Sequence, residues 1–174
     1  LYPFIPDVIL GDMAAYHKAG IETHMSLQVG GPVVAPEFNM LVFARGNWDA
    51  SLTSDKFIAD LASQISPTNS KPWAAYLQKR RKVFASAMRL CEYSNDIYFD
   101  YRWLPETVQP FGREMARAYE CDASSLDKAA DELSRNSKKA SGRAEELARK
   151  EAGRAHFEAA ELRAMASQQD AVNK

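Results

Sequence analysis

The sequence predicts a mainly α-helical chain that contains one well-defined β-strand. Three observations predict it. Apolar residues recur at helical spacing through most of the chain, the stretch from Ile21 to Val29 alternates strictly, and Asp122 to Gln169 is an alanine-rich, mixed-charge run without proline. At 174 residues the chain is long enough to bury a core of its own.

Pro6 and Asp7 open the first helix, with Val8, Ile9, Met13, Tyr16 and His17 at helical spacing and Gly20 as its C′ residue. The strand follows. Ile21, Thr23, Met25, Leu27 and Val29 fall on one face, Glu22, His24, Ser26 and Gln28 on the other, and Gly30-Gly31-Pro32 ends it. A lone strand cannot satisfy its own backbone donors and acceptors, and no other stretch alternates as cleanly. It is therefore expected to pair with strands outside this chain. Together with an opening Leu1-Tyr2-Pro3-Phe4 in place of an initiator methionine, this predicts a piece of a longer polypeptide.

Pro36 to Arg45 reads as the second helix, with Phe38, Met40, Leu41 and Val42 facing inward and Gly46 as its stop. Ser54 is expected to cap a third, whose stripe is Phe57, Ile58, Leu61 and Ile65. After a loop, Ser70 caps a long helix with an unbroken stripe from Trp73, Tyr76 and Leu77 through Val83 to Met88 and Cys91. Tyr93 to Pro110, dense in aromatics and turn formers, reads as an ordered connector, and Phe111 to Tyr119 as a short helix. In the tail, Leu126, Leu133, Ala140 and Leu147 stand seven apart with Ala130 and Ala144 at intervening positions. The pattern slips after Leu147 and resumes at Leu162 and Met165. A helical hairpin or short coiled coil suits such a stripe.

Helix, glycine, strand and helix together are the αβα texture at the closing end of a (β/α)8 barrel. The stretch Gly20-Ile21 through Gln28, then Pro36-Glu37-Phe38-Asn39, Phe43-Ala44-Arg45 and Trp48-Asp49, resembles the barrel end of a broad group of glycoside-hydrolase-like proteins. That group includes the α-glucuronidase and β-N-acetylhexosaminidase type and many bacterial relatives. The resemblance covers Pro6 to Ile65, with Ala50 standing where the pattern has proline. It implies residues 1–50 as the closing βα unit of the barrel followed by a helical domain, which with its aromatic connector is taken as 51–121; the composition alone sets off 122–174 as an alanine-rich hairpin or tail. Such enzymes carry their catalytic carboxylates on middle barrel strands. Those strands would lie upstream of Leu1, so no acid of this chain receives a catalytic role.

On the barrel reading, Gln28 ends the strand on its polar face, where a ligand is met, and His24 lies deeper on the same face. Each could bond sugar hydroxyls, or simply satisfy a polar barrel interior. Trp48, Tyr101 and Trp103 could offer a flat apolar platform to a pyranose ring, the alternative being plugs of the core. Arg102 could fork a carboxylate, or pair structurally with Asp100 or Glu106.

Other chemistries find little. The 22 basic and 23 acidic residues give a formal net charge of -1, against a nucleic-acid partner. No apolar run approaches the roughly 20 residues of a membrane span, and the first ten residues lack the form of a signal peptide. Cys91 and Cys121 are too few for a disulfide framework, and a single bridge or two separate thiols both stay open. His17, His24 and His156 lack metal-ligand spacing, and no cofactor motif is present. Lys79-Arg80-Arg81-Lys82 points around a helix and is expected to form a solvated face. Two functions follow as expectations. One is the C-terminal portion of a carbohydrate-active glycoside hydrolase, exported if that reading holds, whose partners are a glycan and the remainder of its own polypeptide or a second copy. The other is a non-enzymatic helical interaction module that docks through its tail.

Overall fold

The computed structural model describes residues 4–21, 37–83, 112–138 and 142–172. These residues form six α-helices: α1 (Pro6–Lys18), α2 (Glu37–Trp48), α3 (Ser54–Ile65), α4 (Ser70–Lys82), α5 (Gly112–Ser137) and α6 (Arg143–Val172). Among the described residues the chain is all helical. The alternating stretch beyond Ile21 and the connector Tyr93 to Pro110 lie outside them.

α1 begins where Pro6 fixes the first turn and ends as expected. Gly20 takes a left-handed φ of 75°, its N–H reaches the His17 carbonyl at 3.1 Å, and Ile21 N–H reaches back to Tyr16 at 3.0 Å. That pair of bonds is a Schellman cap, and the left-handed residue at its centre favours glycine. The buried residues of α1 are Pro6, Leu10 and Met13. Val8 and Tyr16, which fall at the same helical spacing, are 48% and 38% exposed.

α2 runs past its expected stop. Gly46 lies inside the helix, where α1 packs close against it: a Cβ there would come within 2.8 Å of Leu10 Cδ2 and 3.0 Å of Met13 Cγ. Phe38 and Val42 are buried, whereas Met40 and Leu41, expected inside, are 43% and 45% exposed. Phe4 meets Phe38 edge to face with centroids 6.0 Å apart, and Ile5 N–H donates to Asn39 Oδ1 at 3.1 Å. The start of α1 thus meets the start of α2, and Leu10 and Met13 further along meet Gly46 further along. The two helices run parallel, side by side.

Thr53, not Ser54, caps α3, its hydroxyl accepting from Lys56 N–H at 3.3 Å. Phe57, Ile58 and Leu61 are buried as the stripe predicts, with Ile65 packed at the edge. α4 packs against α3 and α5 and buries Trp73, Tyr76 and Leu77. It ends at Lys82, earlier than the apolar stripe suggests, because Val83 turns to extended backbone at φ -64°, ψ 141°. Residues beyond 83 up to 111 lie outside the described ones.

α5 and α6 make the hairpin. α5 is one continuous helix through Tyr119 and Asp122 rather than a short helix followed by the tail. Its inner residues Ala116, Tyr119, Ala123, Leu126, Ala130 and Leu133 alternate three- and four-residue steps, and Ala148, Ala152, Ala155, Ala159, Leu162 and Ala166 do so on α6. The seven-residue repeat thus shifts by one, from Leu126 and Leu133 on α5 to Ala148, Ala155 and Leu162 on α6, and on α6 it runs unbroken. Alanine carries it, which hides it from a count of large apolar residues. Each alanine buries about one methyl, so close approach rather than apolar area holds this seam.

Candidate functional site

Three elements converge where α1 and α2 begin. Asp7 stands in the first turn of α1, where the exposed N–H groups favour a carboxylate. Arg81, in the last turn of α4, forks it: Nε reaches Oδ2 and Nη2 reaches Oδ1, each at 2.5 Å. Ser54 Oγ, at the first residue of α3, donates to Asp7 Oδ1 at 2.8 Å. The remaining arm of Arg81 binds Asp55 Oδ1 at 2.7 Å, and Gln78 Nε2 donates to the same oxygen at 2.9 Å. The Arg81 bond holds the Asp7 carboxyl below the usual range against a smaller opposing effect of burial, and Ser54 adds to the lowering. Gln78 and then Arg81 do the same for Asp55. The result is a clamp at one rim of the fold that joins α1, α3 and α4.

A second polar cluster is buried. Arg80 is 4% exposed and crosses from α4 to α6, where Nη2 grips both oxygens of Glu158 at 2.7 and 2.9 Å. Its Nη1 donates to Tyr76 Oη at 2.9 Å, and Tyr76 in turn donates to Glu151 Oε2 at 3.2 Å. Arg154 closes the set on Glu151 Oε1 at 2.6 Å. Two arginines thus face two glutamates, which balances the buried charge. Burial pushes the Glu158 carboxyl up, with Arg80 restraining the rise. Burial would push Arg80 down, but Tyr76, Glu158 and Glu151 together outweigh it and keep it firmly protonated. Desolvation raises the Tyr76 phenol, so it stays a donor.

Elsewhere, Asp127 on α5 takes His156 Nδ1 at 2.7 Å and also Arg163, both from α6, a half-exposed stitch along the hairpin. An open cleft of about 310 Å³, lined by Leu61, Gln64, Ile65, Arg143, Ala144 and Leu147, lies at the end of α3 opposite the Asp7 clamp. No group of His, Cys, Asp and Glu among the described residues could hold a metal ion, and no described helix is long and apolar enough to cross a membrane.

Of the residues singled out in the sequence, Trp48 is described: it closes α2 and is 92% exposed. Gln28, His24, Tyr101, Arg102 and Trp103 lie outside the described residues, as does Cys91. Cys121 is an exposed free thiol. The cationic run is not a solvated face. Lys79 pairs with Glu132 at 2.6 Å, Arg80 is buried, and Arg81 closes the clamp. Which cation turns inward depends on what the opposing helices present, and that is not written in α4. The available signal was on α6, where Glu151 and Glu158 sit seven apart on the flank of an alanine stripe. The chain matches no family model, and no curated protein or solved structure is significantly similar to it.

Proposed function

We propose that this chain supplies the closing βα unit of a (β/α)8 barrel that binds carbohydrate, followed by a helical domain, with the catalytic carboxylates contributed by the rest of the polypeptide. One observation carries the reading: α1 and α2 are consecutive, adjacent and parallel. For two successive helices to point the same way, the chain between them must travel back along about 20 Å of helix. The nine alternating residues Ile21 to Val29 reach about 30 Å when extended, so they suit that return, and α, β, α is then the repeat of the barrel. The exposed Val8, Tyr16, Met40 and Leu41 give the same two helices apolar surface to spare, of the kind barrel helices turn toward their sheet.

In this reading the strand ends, and both helices start, on the ligand side of the barrel. Gln28 is the last polar residue of the strand there, with His24 a step deeper. Trp48 ends α2 at the far side, so sugar contact falls to Gln28 and His24 before Trp48. Tyr101, Arg102 and Trp103 would add a stacking platform and a fork for a uronic acid carboxylate. The interaction-module reading has less behind it, because the alanine and leucine stripes that suggest it are spent on each other between α5 and α6.

The test is calorimetric titration of the intact polypeptide with xylan carrying uronic acids and with chito-oligosaccharides. Gln28→Ala is expected to weaken binding by about 1–2 kcal/mol, the order of one buried hydrogen bond, with little change in Tm. Unchanged affinity, or a large loss of stability in place of affinity, counts against a ligand role for Gln28.

A further inference from the structure

The rim clamp carries one step more, which rests on the barrel reading above. We infer that the helical domain built by α3 and α4 is fastened to the ligand side of the barrel, with Arg81 as the positioning residue that holds α4 beside the carbohydrate.

Direction along the helices supplies the argument. α1 and α2 start at one end, shown by the Ile5–Asn39 bond and the Phe4–Phe38 contact. In a βα repeat that end carries the loops that build the ligand site. Asp7 lies in the first turn of α1 at this end, and everything that grips it comes from the helical domain: Ser54 opens α3 and Arg81 nearly closes α4. α4 is oriented by the same contacts, since its final turn meets Asp7 and Asp55 while Asn69, just before its first residue, bonds the Asn136 carbonyl of α5 at 3.2 Å. The chain therefore leaves α4 at the rim. Arg81 binds Asp7 through two nitrogens and Asp55 through a third, a fixed planar fork that lysine cannot reproduce. With Asp7 and Asp55 54% and 77% exposed, solvent screens the attraction. Orientation of α4, more than stability, is then what this clamp contributes.

Calorimetry on the intact polypeptide, with uronic-acid-substituted xylan and chito-oligosaccharides as probes, compares wild type with Arg81→Met, Arg81→Lys and Lys79→Met. Lys79→Met is the control, removing an ion pair of α4 with Glu132 of α5 and leaving the rim untouched. Arg81→Met is expected to weaken glycan binding about tenfold, a misplacement effect, at nearly unchanged Tm. Arg81→Lys should recover part of the loss, and Lys79→Met should bind as wild type does. If Arg81→Met fails to fold, Gln78→Leu, which loosens the clamp through Asp55, takes its place with a smaller loss expected. Equal affinity across these variants overturns positioning by Arg81 and leaves the barrel reading standing. A wild type that binds none of the probes removes the barrel-ligand reading and this inference with it.

Discussion

Arg80 is one of four consecutive cations, yet it is buried while Lys79 and Arg81 on either side stay partly exposed. What separates them is the partner each meets. Arg80 points at the place on α6 where two glutamates flank the alanine stripe, and its two terminal nitrogens make three bonds to Glu158 and Tyr76. A buried ion pair gains little over a well-packed apolar pair, because desolvation offsets the attraction, but breaking it strands the surviving charge. Arg80→Met alone is therefore expected to cost about 3–5 kcal/mol of unfolding free energy, with Glu158 left buried and opposed. Arg80→Met combined with Glu158→Met should return most of that loss, since Arg154 and Tyr76 still satisfy Glu151. Urea denaturation of the three proteins measures this. A double variant as unstable as the single one would mean that packing, not the stranded charge, sets the cost. At this scale the sequence was half legible: the glutamate spacing could be read, but the choice among four cations belongs to the opposing helix.

At the scale of elements, legibility followed how local the deciding contacts are. The α1 cap could be read because it is made by neighbouring residues around Gly20. The stripes of α3 and of Trp73, Tyr76 and Leu77 could be read because one face of each meets one core. α2 was misjudged, because a glycine that stops a helix and a glycine that admits a neighbour look alike in sequence. Gly46 is the second kind. Replacing it with valine adds volume against Leu10 and Met13, which already lie within reach of a single added carbon. Gly46→Val is expected to destabilise by about 1–3 kcal/mol through overpacking, despite removing a helix glycine. Thermal unfolding followed by circular dichroism reads the outcome, and a rise in Tm would mean that α1 and α2 separate freely. Met40 and Leu41, expected to face inward, are exposed for a related reason. Periodicity marks which residues share a face, and it does not say what covers that face.

For the whole molecule, two kinds of helix packing meet in one chain. α5 and α6 follow each other as a hairpin and bury their stripes chiefly against each other, with α4 packed on α5. α1 and α2 follow each other in parallel and leave Val8, Tyr16, Met40 and Leu41 exposed, the arrangement that the proposed barrel would cover. Arg81 and Arg80 connect the two regimes from adjacent positions on α4, one to the rim of α1 and the other to α6. The barrel reading stands or falls on whether Ile21 to Val29 pairs as an inner strand. Backbone hydrogen exchange of those residues in the intact polypeptide is the most direct measurement. A strand flanked on both sides bonds its amides all along its length, so exchange of 22–29 slowed to the level of the buried core of α3 and α4 is the predicted result. Exchange of the same amides at the rate of an unstructured peptide would contradict it.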